Sequence, residues 1–128
     1  DENIFIFGLT AEEIMQKRAE GYSPVFYYED SRRLREVIDM LKSNFFNKSE
    51  PGIFEPIVNE LMYRDYYFVM ADFEPYVKAQ HEAEEAYIKT DIWSRKSIIN
   101  VARMEKFSSD RAIREYARDI WDIETFNV

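Results

Sequence analysis

The feature that most constrains this chain is an amphipathic segment near its C-terminal end, KFSSDRAIREYARDIW, at residues 106–121. Apolar residues recur there at spacings of three and four, which places them on one face of a helix. These residues are Ile113, Tyr116, Ala117, Ile120 and Trp121. Ser109 lies where an N-cap is expected, and Asp110 would face the positive end of the helix. The segment therefore predicts a helix with one apolar face.

The opposite face of this predicted helix is charged and includes Arg111, Arg114 and Arg118. Arg114 and Arg118 are like charges four residues apart, a pair that does not stabilise an isolated helix. We therefore expect the arginines to find acidic partners elsewhere.

The N-terminal end combines a strand pattern with a helix start. Residues 3–7, NIFIF, form an apolar run that ends at Gly8, which is typical of a strand buried on both faces in a parallel sheet. Thr10 and Glu13 have the spacing of a capping box, and the helix that they open is predicted to end at Gly21. Strand, turn and capped helix make half of a βαβ unit.

Three internal segments also carry helical stripes. Residues 31–41 have one, and a second begins at Phe54. A third helix is predicted to run from a cap at Asp72 to Lys89. Pro75 would lie in its first turn, where the missing N–H costs little.

The other segments predict one more helix, a connector and a strand. Residues 92–103 are predicted to form a helix that Thr90 or Asp91 caps. Its buried side chains would be Trp93, Ile98 and Ala102. Residues 22–28 are predicted to be a connector because they contain a proline. Residues 66–70 are aromatic and β-branched, which predicts a short strand.

Together these patterns predict a mainly α fold with one to three short strands. A chain of 128 residues with 46% hydrophobic content can bury the core of one compact domain. Its net charge of −8 argues against nucleic acid or an anionic membrane as partner, because both attract positive surfaces. We find no membrane-span or signal pattern, and the absence of cysteine fits the cytoplasm. Because an apolar run follows Asp1 almost at once, we expect a piece of a longer protein.

The sequence predicts no metal, catalytic or cofactor-binding residue. His81 shares a helical face with Glu84 and Glu85, but a metal site needs comparable motifs from other helices and there is no second histidine. Other neighbouring glutamates diverge around a helix and are predicted to be solvated. Ser109 lacks the glycines of a nucleophile elbow. The three glycines of the chain are too far apart for a phosphate-binding loop.

Four motifs, taken as strings, carry a family resemblance. They are ENIFIFG followed by TAEE at residues 2–13, DYYFVMADFEPYVKAQ at 65–80, WSRKSIINVA at 93–102, and the KFSSDR turn with its EYA and IW helix at 106–121. In this order and spacing they resemble the α-glucan phosphorylases, the family of glycogen and maltodextrin phosphorylases. The resemblance covers nearly the whole chain.

This resemblance implies a pyridoxal phosphate-dependent glycosyltransferase that cleaves terminal α-1,4-glucosyl units with phosphate and gives glucose 1-phosphate. It implies that residues 1–128 are a single fragment, the end of a C-terminal domain of doubly wound α/β, GT-B type. The family's cofactor lysine, phosphate loop and basic substrate-binding residues precede the ENxFIFG motif. The fragment is therefore expected to be structural, inactive alone and without bound pyridoxal phosphate.

The resemblance also implies partners. The main one would be the remainder of the phosphorylase chain, in a cytoplasmic enzyme. A homo-oligomer is expected because residues 4–7 would otherwise present an unpaired apolar strand. The alternative is a free-standing acidic helical protein-interaction module, whose gene would start close to Asp1.

Overall fold

The computed structural model of the protein describes residues 3–124. Seven α-helices lie in this part of the chain, together with a short 3-10 helix at Met104–Phe107. The α-helices are α1 (Ala11–Glu20), α2 (Pro24–Asp30), α3 (Arg32–Lys42), α4 (Glu55–Tyr63), α5 (Val69–Ile88), α6 (Thr90–Ala102) and α7 (Ser109–Asp119). Within residues 3–124, no helix is both long and apolar enough to cross a membrane. The described residues group into two compact units, residues 5–83, and residues 84–124 with 3 and 4.

Helix α1 confirms the predicted capping box. The Thr10 hydroxyl accepts the Glu13 N–H at 3.2 Å, and the Glu13 carboxylate accepts the Thr10 N–H at 2.8 Å. The helix ends at Gly21, whose φ of +89° is a left-handed conformation that glycine adopts without steric cost. Both ends of α1 are thus fixed by residues within or beside the helix.

The core of residues 5–83 confirms the helical stripes predicted for α3 and α4. Helices α2, α3 and α4 pack on one another. The buried side chains of α3 and α4 form one cluster with the start of α5, and partly buried side chains of α2 pack against it. The cluster contains Leu34, Ile38, Val58, Met62 and Met70. Four of these five lie in the two segments predicted to be amphipathic, at residues 31–41 and from Phe54 onward, because a spacing of three and four places residues on one helical face.

The connector predicted at residues 22–28 is wrong, since α2 begins at Pro24. Pro24 lies at the first helical position, where a backbone N–H has no intrahelical partner. Proline therefore starts this helix instead of preventing it. Ser31 then caps α3, with its hydroxyl accepting the Leu34 N–H at 3.1 Å.

The short strand predicted at residues 66–70 is also wrong, as is the cap at Asp72. The Asp65 carboxylate accepts the N–H groups of Val69 and Met70, each at 2.9 Å, and so starts α5 at Val69. This earlier start places Pro75 inside the helix and not in its first turn.

The strand predicted at residues 3–7 is absent, and residues 3–124 contain no strand. A strand requires a neighbour whose backbone completes its hydrogen bonds. Residues 5–7 have no regular secondary structure, and the apolar side chains of Ile4 and Ile6 are exposed. The prediction of a mainly helical chain is confirmed, and that of one to three strands is wrong for the described residues.

The unit formed by residues 84–124 keeps its predicted helices but not the predicted burial. Trp93, Ile98 and Ala102 are all exposed on α6, which has no buried residue. The residue at the N-cap of α6 is Lys89, not Thr90 or Asp91. These apolar side chains find no cover within the helix itself, because burial requires an opposing element.

Helix α7 begins one residue earlier than predicted. Ser108, not Ser109, is its N-cap, and the Ser108 hydroxyl accepts the Arg111 N–H at 3.3 Å. Of the predicted apolar face, Ala117 alone is buried. The side chains of Ile113, Tyr116 and Ile120 are 54%, 50% and 67% exposed.

Candidate functional site

The start of α5 is built around Asp65, the one buried charged residue within residues 3–124. Its carboxylate is 2% exposed and accepts the Tyr22 hydroxyl at 2.5 Å in addition to the two α5 N–H groups. Burial, and then the hydrogen bond to Asp65, raise the pKa of Tyr22. The negative charge also lies at the positive end of α5. Asp65 is fully partnered and therefore acts as a structural anchor.

The backbone beside Asp65 adopts unusual conformations. Asp65 has a φ of +36° and Phe68 a φ of +60°, in the left-handed region that costs a bulky residue energy. The Phe68 ring is buried and stacks on Tyr22 with centroids 4.1 Å apart. Hydrogen bonds and ring stacking together hold this turn.

A second carboxylate, Asp72, lies one turn into α5 and holds the segment that precedes α1. The Leu9 N–H donates to Asp72 Oδ1 at 3.1 Å. A Cβ added to Gly8 would lie 2.8 Å from Asp72 Oδ2, and the Gly8 φ of +90° is one that residues with a side chain rarely adopt, so both favour glycine here. The Phe7 ring contacts the Tyr76 ring edge-on, with centroids 5.1 Å apart. Residues 7–9 are therefore fixed against α5.

A cavity of about 200 Å³ lies between this segment and α5. Its lining consists of Phe7, Tyr67, Val69, Asp72, Phe73 and Tyr76. The cavity is smaller than the roughly 300–1,000 Å³ of sites for drug-sized ligands, and Asp72 is the charged group in its wall. Burial raises the pKa of Asp72, and nearby Asp65 raises it further, against the lowering effect of the Leu9 hydrogen bond. We regard this cavity as the candidate site of the chain.

A larger cavity, of about 500 Å³, lies at the end of α7. Its lining is Arg114, Arg118, Asp122, Ile123 and Glu124. Arg118 donates to the adjacent Asp119, and Arg111 pairs with Glu115 at 3.4 Å. Two of the three arginines of α7 thus find acidic partners on their own helix. Because the lining of the cavity also contains Asp122 and Glu124, the cavity does not favour an anion.

The residues considered as site candidates from the sequence do not lie together in a reactive site. Across residues 3–124, no three His, Asp or Glu side chains lie close enough together to hold a metal ion. Ser108 and Glu13 serve as helix caps. The absence of catalytic and metal-binding residues stays a prediction.

The three glycines do not fit the phosphate group of a cofactor. Gly8 faces the Asp72 carboxylate, and a Cβ on Gly52 would lie 3.3 Å from the Glu55 carboxylate. A phosphate at either position would meet a negative charge. Gly21 ends α1, and a helix C-terminus carries the negative end of the dipole.

The sequence did not predict this site, because its contacts join distant residues. Asp72 and Leu9 are 63 positions apart, and Tyr22 and Asp65 are 43 positions apart. One signal was available for Asp65, since an aspartate just before a helix is a common cap. The aromatic run that follows it resembled a strand and obscured that signal.

Comparisons with known proteins extend over nearly the whole chain. The family described as carbohydrate phosphorylase matches residues 1–123. A glycogen phosphorylase from Synechocystis sp. is 48% identical over 123 residues, which are 96% of this chain and 14% of the relative. The muscle forms of glycogen phosphorylase from Mus musculus and Homo sapiens are each 43% identical over 124 residues, 97% of this chain and 15% of each relative. The chain thus spans about one seventh of the length of these relatives.

Proposed function

Because this chain belongs to the carbohydrate phosphorylase family, we propose that it is the C-terminal portion of an α-glucan phosphorylase. The observation that carries the proposal is an identity of 48% over 96% of the chain but 14% of the relative. The KFSSDR turn and the helix that follows it, at residues 106–121, resemble the family's C-terminal signature and support the position of the chain in the parent protein.

The parent enzyme cleaves a terminal α-1,4-glucosyl unit of a glycogen or maltodextrin chain with inorganic phosphate. The products are glucose 1-phosphate and a glucan shorter by one unit. Pyridoxal phosphate supplies a phosphate group for proton exchange in this chemistry. We assign its binding and all catalytic residues to the upstream polypeptide. The carboxylates beside Gly8 and Gly52 support that assignment.

The role of this chain in the parent is structural. It completes the C-terminal doubly wound α/β domain, of GT-B type. Residues 3–7 form a strand there once a neighbouring strand satisfies their backbone groups. Helix α7 packs its apolar face on the remainder of the enzyme, and the exposure of Ile113, Tyr116 and Ile120 supports this. The parent is a cytoplasmic homo-oligomer.

The test is the size and activity of the natural gene product. An antibody raised to residues 106–121 isolates the product from source cells, and the free peptide serves as the competing control. We expect a mass about seven times the 15.4 kDa of this chain, since the relatives are about seven times longer. The isolated product should release glucose 1-phosphate from maltodextrin and phosphate.

A product near 15.4 kDa would contradict the proposal. The chain would then be a free-standing acidic helical interaction module. A long product without phosphorolytic activity on either glycogen or maltodextrin would keep the family but overturn the activity.

A further inference from the structure

Most of the wall of the cavity beside Asp72 is apolar. Its one carboxylate, that of Asp72, is incompletely hydrogen-bonded. Phe7, Val69 and Phe73 contribute carbon atoms, and the rings of Tyr67 and Tyr76 close the sides. Asp72 Oδ1 accepts the Leu9 N–H. Among residues 3–124, no lysine, arginine or histidine forms an ion pair with Asp72. A half-buried carboxylate in this setting is stabilised by a donor that enters the cavity.

The charge and shape of the cavity favour one kind of donor. A cation is preferred to a neutral donor because it also offsets the negative charges of Asp72 and neighbouring Asp65. Arginine binds carboxylates best through two parallel hydrogen bonds to both oxygens at once, and the Leu9 N–H already takes one acceptor position of Asp72 Oδ1. Lysine donates as a point charge and carries a flexible stem of methylene groups.

The volume is consistent with such a stem. A dry cavity of about 150 Å³ is known to hold one benzene molecule. The 200 Å³ beside Asp72 therefore accommodates a chain of four methylene groups and leaves space for an ammonium group. The apolar rings give those methylene groups a surface to cover.

We propose that this cavity receives a lysine side chain from the phosphorylase polypeptide upstream of this chain, with its ammonium group donating to Asp72. The inference rests on the proposed function, which leaves about 85% of the parent polypeptide outside this chain, since the chain covers 14–15% of its relatives. The pair would fasten helix α5 to the upstream polypeptide. It would also hold Gly8 and Leu9, which lie against the Asp72 carboxylate.

Zero-length carbodiimide cross-linking of the whole phosphorylase polypeptide tests this contact. The reagent joins a carboxylate to an amine only where the two touch. We expect a cross-linked peptide pair that joins Asp72 to an upstream lysine. The link should disappear in Asp72→Asn. It should persist in Glu82→Gln, which removes another carboxylate of α5 that pairs with Lys78 at 3.9 Å.

Two results would refute the proposal that a lysine side chain occupies the cavity. One is coupling of Asp72 to added glycine ethyl ester in place of a protein amine. The other is a link to a second copy, recognised from a mixture of light and isotope-labelled polypeptide. Either result leaves the proposed function intact. A gene product no longer than this chain would instead refute the proposed function.

The pH dependence of stability gives a second test in the same polypeptide. With a lysine bound, the folded-state pKa of Asp72 falls below its ordinary value of 3.8, and the stabilisation is present above that pH and lost on acidification. Asp72→Asn should therefore lower the unfolding midpoint more at pH 7 than at about pH 3, which lies below the ordinary pKa of 3.8. Without a lysine, burial keeps the pKa raised, and the stabilisation is lost as pH rises. The Asn variant would then gain relative stability towards pH 7, which would refute the proposal.

Discussion

At the scale of single residues, the two carboxylates of α5 differ in how far they are satisfied. Asp65 has three hydrogen-bond donors, two from the helix backbone and one from Tyr22. Asp72 has one donor, Leu9, and borders a cavity. The free-energy cost of burying a carboxylate falls as more hydrogen-bond donors or opposite charges contact it. The hydrogen bonds to the Asp65 carboxylate are therefore all supplied within this chain, whereas the Asp72 carboxylate has room for a further donor.

Asp65→Ala should lower the free energy of unfolding by about 3 kcal/mol, because it leaves two N–H groups of α5 and the Tyr22 hydroxyl without their acceptor. Urea unfolding followed by circular dichroism measures this change. Tyr22→Phe is the graded control. It removes one hydroxyl and should cost about 1 kcal/mol. Equal costs for the two variants would contradict the role of Asp65 as the helix cap.

At the scale of elements, the helix ends depend on short-range caps, and the apolar faces depend on distant partners. Ser31 and Ser108 each cap a helix through one hydroxyl oxygen. The helices themselves differ greatly in burial, since α3 buries Leu34 and Ile38 while α7 buries only Ala117. A helix can thus be correctly formed and still leave its apolar face uncovered.

Ser108→Ala and Ser109→Ala distinguish the observed cap from the predicted one. The first variant should weaken α7 by about 1 kcal/mol, since it removes the acceptor of the Arg111 N–H. Amide hydrogen exchange in α7 would then be about fivefold faster, because 1.4 kcal/mol corresponds to about tenfold. Ser109→Ala should leave the exchange rates nearly unchanged. Faster exchange in Ser109→Ala alone would restore Ser109 as the cap.

At the scale of the whole molecule, large apolar side chains remain exposed in both units. Of the two exposed isoleucines that precede α1, Ile6 belongs to the unit of residues 5–83 and Ile4 to the other unit. In the other unit, Ile113, Tyr116 and Ile120 form an uncovered stripe on α7. Exposed apolar side chains grouped in this way mark surfaces that other structure covers.

The isolated 128-residue chain should therefore self-associate through the segment that contains Ile4 and Ile6. A double variant, Ile4→Lys with Ile6→Lys, should reduce the sedimentation mass to the 15.4 kDa of one chain. The matched control adds the same two charges at exposed positions, as Asn59→Lys with Gln80→Lys. It should sediment like the unchanged chain. An unchanged chain that is already monomeric at high concentration would contradict the prediction.

The sequence by itself determined the elements whose cause is local. The capping box of α1, its end at Gly21 and the buried stripes of α3 and α4 all depend on residues within a few positions of one another. The string of motifs likewise indicated the phosphorylase family. Helical periodicity and capping are short-range effects, so one sequence is sufficient to predict them.

Only the tertiary structure decided where α5 begins, which apolar faces are covered and where the candidate site lies. The start of α5 depends on Asp65 being buried against Tyr22, 43 positions away. The strand predicted at residues 66–70 is instead a turn followed by the first residues of this helix. The site depends on Gly8 and Leu9 lying close to Asp72, although Leu9 and Asp72 are 63 positions apart in the sequence. Sequence periodicity identifies an apolar face but not the element that covers it, because burial is a property of two surfaces in contact.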